Sequence, residues 1–128
     1  MALDVGEKRV GVAIASSLAK LPRPFTTLDY EKSIEKIKTL ANQEGVGTIV
    51  VGLPLNRHEE ATKQTEFTRA FMERLTHSVE AKIDTCSEAL SSARAKRELE
   101  TRGKAYEKSD IDALAAAYIL EDYLKERP

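Results

Sequence analysis

The sequence predicts an α/β protein built on a five-stranded mixed sheet, an antiparallel meander first and parallel strands after it, flanked by helices. Three observations predict this class. Two short apolar runs, Met1–Asp4 and Val10–Ala15, are joined by a polar link whose glycine suits a tight turn. In the stretch "TIVVGLP" the five residues from Ile49 to Leu53 are apolar or glycine on both faces, as in a parallel strand covered by helices. From Glu31 onward, segments of helical period alternate with strand-like ones, which right-handed crossovers would return to one sheet.

Taken in order, Met1–Asp4 and Val10–Ala15 form the opening hairpin. The first strand is short for a sheet, which leaves open whether residues before Met1 belong to it. A third extended piece runs over Arg23–Leu28, because Pro22 and Pro24 exclude helix and "FTTL" favours strand. A first helix follows from Glu31, with Ile34, Ile37, Leu40 and Ala41 at helical spacing and Gly45 closing it. After "TIVVGLP" and a polar loop, Asn56–Glu60, a second helix is expected from Ala61 to Thr76, with Gln64, Phe67, Phe71 and Leu75 along one side. Alternation of Val79, Ala81, Ile83 and Thr85 marks a further strand. A charged helix from Ser92 to Thr101, ended by Gly103, and a last helix from Asp110 to Lys125 complete the order β-β-β-α-β-α-β-α-α. With no repeat, linker or low-complexity tract, residues 1–128 read as a single domain.

Composition narrows the function. Hydrophobic residues make up 41% and charged residues 32% of the 128, the balance of an ordinary globular chain. No apolar run approaches the ~20 residues that span a bilayer. The chain shows no basic segment with an apolar stretch behind it, and the lone Cys86 cannot form an internal disulfide, so a cytoplasmic location is expected. The net charge of -1 gives the molecule no overall attraction for nucleic acid, so such binding would rest on local patches. Lys8, Arg9, Lys20 and Arg23 form one; Arg94, Lys96, Arg97, Arg102, Lys104 and Lys108 crowd another stretch that reads as a solvated helix face. His58, His77 and Cys86 lack zinc-ligand spacing.

Three carboxylates stand at the ends of elements. Asp4 interrupts the first apolar strand, Glu88 lies just beyond the last strand, and Asp112 falls in the first turn of the last helix. Each has a bland reading: Asp4 as a turn former near Gly6, Glu88 as a solvated loop residue, and Ser109 with Asp112 as a capping box. Yet Asp112 precedes Ala115, Ala116 and Ile119 at helical spacing, which points it along the apolar face. Grouped together, the three acids would make an oxygen-ligand site for Mg²⁺ or Mn²⁺, and two such ions can activate water for phosphodiester cleavage.

"ALDVGEKRVGVAIAS", "IVVGLPLN" and "SDIDALAAAYIL", in this order, resemble the YqgF (RuvX) family of bacterial RNase H-like nucleases over nearly the whole chain. The resemblance implies a five-stranded RNase H-like sheet and a metal-dependent endonuclease. Its implied role is 5′-end maturation of pre-16S rRNA during ribosome biogenesis; the alternative is a Holliday junction resolvase in DNA recombination and repair. The family's first acid falls on Asp4 with Gly6, Lys8, Arg9 and Gly11 in place, its late acid on Asp112, and its middle acid on Glu88. That makes Asp4, Glu88 and Asp112 the expected catalytic and metal-binding residues, with Lys8, Arg9 and Arg57 holding phosphates. The chain departs from the family after the last strand: Ser87 replaces an Asp, Ala89 an Arg, Ser91 a Thr and Arg94 a Glu.

Three functions compete. The first is the metal-dependent nuclease, on structured RNA before branched DNA and acting on a ribosome-assembly intermediate. The second is a non-catalytic nucleic-acid-binding relative with a decayed site, motivated by Ser87 and Ala89. The third treats "D-x-G" as a phosphate loop of actin-like ATPases, but 128 residues cannot hold the second domain these need. A resolvase would work as a homodimer, whereas an rRNA nuclease could be a monomer.

Overall fold

A computed structural model describes the backbone over residues 1–55, 58, 60–88, 91–103 and 106–126, and side chains over the same residues apart from 88 and 91–93. The strands are β1 (Ala2–Val5), β2 (Arg9–Ile14), β3 (Arg23–Asp29), β4 (Thr48–Pro54) and β5 (Lys82–Glu88). The helices are α1 (Ser33–Gln43), α2 (Lys63–Thr76), α3 (Ser91–Thr101) and α4 (Lys108–Glu126). They form one five-stranded sheet in the order β3-β2-β1-β4-β5. β1 pairs antiparallel with β2, and β2 with β3, whereas β1–β4 and β4–β5 are parallel. The predicted α/β class and the element order are those observed.

Strand alternation divides the core between the two faces of the sheet. Leu3, Val5, Val10, Val12, Ile49 and Val51 point to one face, where Ile37 of α1 and Phe71 and Leu75 of α2 cover them. Ala2, Ala13, Val50 and Cys86 point to the other, against Ala95 of α3 and Leu114, Ala115, Ala116 and Ile119 of α4. This is why "TIVVGLP" carries no polar side: β4 is covered from both faces. The second face is lined by small residues, so α4 lies close to the sheet.

Several boundaries differ from those the sequence suggests, each for a local reason. The first helix is preceded by a single 3₁₀ turn, Tyr30–Lys32, and α1 itself begins at Ser33. α2 starts at Lys63 because Thr62 is its N-cap, with Thr62 and Thr65 exchanging side-chain and backbone hydrogen bonds. The largest shift is in β5. Its parallel ladder with β4 runs from Thr48↔Lys82 to Pro54↔Glu88, so Val79 and Ala81 precede the strand and Glu88 closes it instead of following it. The amide of Val79 is spent on the end of α2, where it donates to the Leu75 carbonyl.

α4 begins at Lys108, which puts Asp112 in the second turn and removes it from the capping position. Asp110 takes the capping part instead: its Oδ2 accepts a bond from the Glu107 amide at 2.9 Å. The Ser109 carbonyl accepts from Thr27 Oγ1 at 2.7 Å, which fastens the start of α4 to β3. Asp112 is therefore available for something other than its own helix.

Candidate active site

β1, β4 and β5 are parallel, so Asp4, Pro54 and Glu88 lie at one edge of the sheet, at or near the carboxyl ends of their strands. This is the edge at which open α/β sheets bind ligands. The start of α4 reaches the same edge. In register, Asp4 stands opposite Gly11, and Ala2 opposite Ala13, with Ala2 and Ala13 both against α4. Period-two alternation then carries Asp4, two residues after Ala2, to the α4 face. Asp4 is partly buried there.

Gly11 brings Asp112 to that position. A Cβ built on Gly11 would lie 2.0 Å from the Asp112 carbonyl oxygen and 2.9 Å from the Ala113 nitrogen. The α4 backbone thus occupies the space of a side chain on β2. Asp4 and Asp112, 108 positions apart, thus both adjoin Gly11, the first as its partner in register and the second through its backbone carbonyl.

Arg9 completes the group. Its Nε donates to Asp112 Oδ2 at 2.6 Å, a charge-assisted hydrogen bond between side chains 34% and 21% exposed. Arg9 and Gly11 are two residues apart on β2 and so share the α4 face. The sequence marks Arg9 as a phosphate-holding residue; in the fold it pairs with an expected metal ligand. No local pattern could have shown that pairing, because the two residues are 103 apart.

The other expected residues divide as follows. Lys8 is exposed in the β1–β2 turn, where its carbonyl accepts from the Tyr30 amide. Glu88 is the last residue of β5, but its side chain lies outside the described residues, as does the whole of Arg57. Among the described residues no cluster of three His, Cys, Asp or Glu side chains is set to hold a metal. What is described is a pair of hard oxygen donors, Asp4 and Asp112, and a cation already seated on one of them. That donor chemistry suits Mg²⁺ or Mn²⁺.

Arg94 does not stand in for the arginine that Ala89 lacks. Its guanidinium lies 4.1 Å from the Tyr118 ring centroid and pairs with Asp122 at 3.4 Å, binding α3 to α4. A groove of about 830 Å³ lies elsewhere: Met1, Ile14, Arg23, Tyr123 and Leu124 line it at the opposite end of the sheet from Asp4. The carboxylates, not the groove volume, mark the candidate site.

A mixed sheet in this strand order, with one acid from its first strand and another from its last helix meeting at the strand ends, defines a protein of the RNase H-like class. A family model described as RuvX, Holliday junction resolvase, matches residues 1–126, and the chain belongs to that family. It is also similar to proteins named "Putative pre-16S rRNA nuclease". One from Chloroflexus aurantiacus is 38% identical, with 99% of this chain and 86% of that one aligned. Those of Salinibacter ruber and Synechocystis are 34% and 33% identical, over 95% and 99% of this chain and 89% and 87% of theirs.

Proposed function

We propose that this chain is a metal-dependent endonuclease that hydrolyses phosphodiester bonds in structured RNA, acting on a ribosome-assembly intermediate in the cytoplasm to mature the 5′ end of pre-16S rRNA. The observation that carries this reading is the meeting of Asp4 and Asp112 across Gly11 at the carboxyl edge of the sheet. The names of the relatives support the choice of RNA. Asp4 and Asp112 would hold Mg²⁺ or Mn²⁺, with Glu88 as the third ligand at the end of β5. Such ions, when bound, activate a water and neutralise charge on the leaving oxygen.

The chain's own residues do the rest. Asp4 is fixed by the central strand of the sheet and Asp112 by a helix that cannot shift relative to β2, so the two carboxylates are preorganised. Lys8, exposed in the adjoining turn, would meet a phosphate, and Arg57 would add a second contact. A second reading, a junction-cutting enzyme acting on branched DNA as a homodimer, is favoured by the description of the family model.

Cleavage of a pre-16S 5′-leader RNA and of a four-way DNA junction, each with Mg²⁺, Mn²⁺ or EDTA, separates these readings. We expect metal-dependent cutting of the RNA that disappears in Asp4→Asn. Cutting of the junction alone would replace the substrate, and binding of RNA without cleavage under either metal would leave a non-catalytic relative.

A further inference from the structure

Arg9 sits where a metal-dependent nuclease would need its carboxylate free. The bond from Arg9 Nε occupies Asp112 Oδ2 at 2.6 Å. The Asp112 backbone cannot withdraw, because its carbonyl fills the place of a Gly11 side chain, and two torsions are all that its short side chain has. Arg9 can: it begins β2, its side chain is the more exposed of the two at 34%, and several torsions separate its guanidinium from the backbone. A divalent cation on the Asp112 carboxylate would meet a like charge within a few ångströms, where repulsion in a partly buried site is strong. A cation on either oxygen of that carboxylate would lie beside the guanidinium held on Oδ2, so the two compete through their like charge.

We propose that Arg9 is an internal counter-cation of Asp112 which a divalent metal displaces, and that the released guanidinium then takes a phosphate of the nucleic-acid substrate. The inference rests on the metal-dependent reading given above. In the metal-free protein Arg9 offsets the charge that Asp4 and Asp112 bring to one face of the sheet. With metal present the same guanidinium, suited to forked phosphate contacts, is transferred to substrate. Coupling of this kind is reciprocal: a phosphate that captures Arg9 strengthens metal binding by the factor with which metal strengthens phosphate binding.

Calorimetric titration of the full chain with Mn²⁺, with folding of each variant checked by circular dichroism, tests the first half. Arg9→Gln, which removes the competing charge, is expected to bind Mn²⁺ about tenfold more tightly than wild type, while Arg9→Lys, which keeps a charge, stays near wild type. Binding of a labelled RNA hairpin in EDTA over a range of salt tests the second half. Asp112→Asn sets Arg9 free without metal, so the dependence of log K on log salt should steepen by about 1, and in Asp112→Asn/Arg9→Gln that gain should vanish. Equal or weaker Mn²⁺ binding by Arg9→Gln, or a slope gain that survives in the double variant, overturns the inference while the metal site stands. If neither wild type nor Arg9→Gln binds Mn²⁺, the metal reading falls and the inference with it.

Discussion

At Gly11 the helix carrying Asp112 comes so near β2 that one methyl group would collide with a carbonyl oxygen, at 2.0 Å. The backbone of neither element can yield, since β2 is paired on both sides and α4 is packed along its length. Gly11→Ala should therefore destabilise the protein by about 3 kcal/mol, read from urea unfolding, and should also abolish any rise in melting temperature on adding Mn²⁺. The sequence made Gly11 legible as a member of a motif, but its physical purpose was not. A glycine reports only that a side chain is unwelcome; what takes its place comes from a helix about a hundred residues away. Asp4 was legible for the opposite reason, because a carboxylate between Leu3 and Val5 costs several kcal/mol unless compensated.

At the scale of elements, the hydroxyl of Thr65 ties α2 to the end of β4. Thr65 Oγ1 accepts from the Thr62 amide at 3.0 Å and donates to the Pro54 carbonyl at 2.6 Å, and Thr65 is fully buried. Thr65→Val keeps the shape and strands both partners, so unfolding free energy should drop by about 2 kcal/mol. A contrasting case is α3 against α4. Arg94 and its carboxylate partners are each 40% exposed, so Arg94→Ala should cost at most about 1 kcal/mol in thermal unfolding. Mn²⁺ affinity should not change, since Tyr118 lies six residues, ~9 Å of helix, beyond Asp112. Element types and order were readable from periodicity, because each helix covers one face of the sheet and each strand shows its pleat. The position of β5 was not: Val79 to Thr85 alternates as well as Lys82 to Glu88 does, and only the ladder with β4 chooses the window. For the same reason the start of α4 was misplaced, with Asp110 bonding the Glu107 amide where Asp112 was expected to cap.

Over the whole molecule, folding brings Asp4 and Asp112 to one edge of the sheet, with Arg9 paired to Asp112. Divalent metal should raise the melting temperature of the full chain, and Asp4→Asn should remove that increment; differential scanning calorimetry with metal or EDTA reads both. Binding of RNA should show a shallow salt slope, about one unit per phosphate that the local patch contacts, since no general positive field assists it; a salt titration of RNA binding reads it. By itself the sequence determined the class of fold and the order of its elements, and it singled out Asp4, because burial patterning, turn chemistry and an acid in an apolar strand are local signals. The tertiary structure alone decided that Asp4 and Asp112 share Gly11, that Arg9 belongs to Asp112, and that Arg94 belongs to α4. These are contacts between surfaces that meet only when the sheet is assembled, and their energies depend on distance in space, which spacing along the chain does not encode.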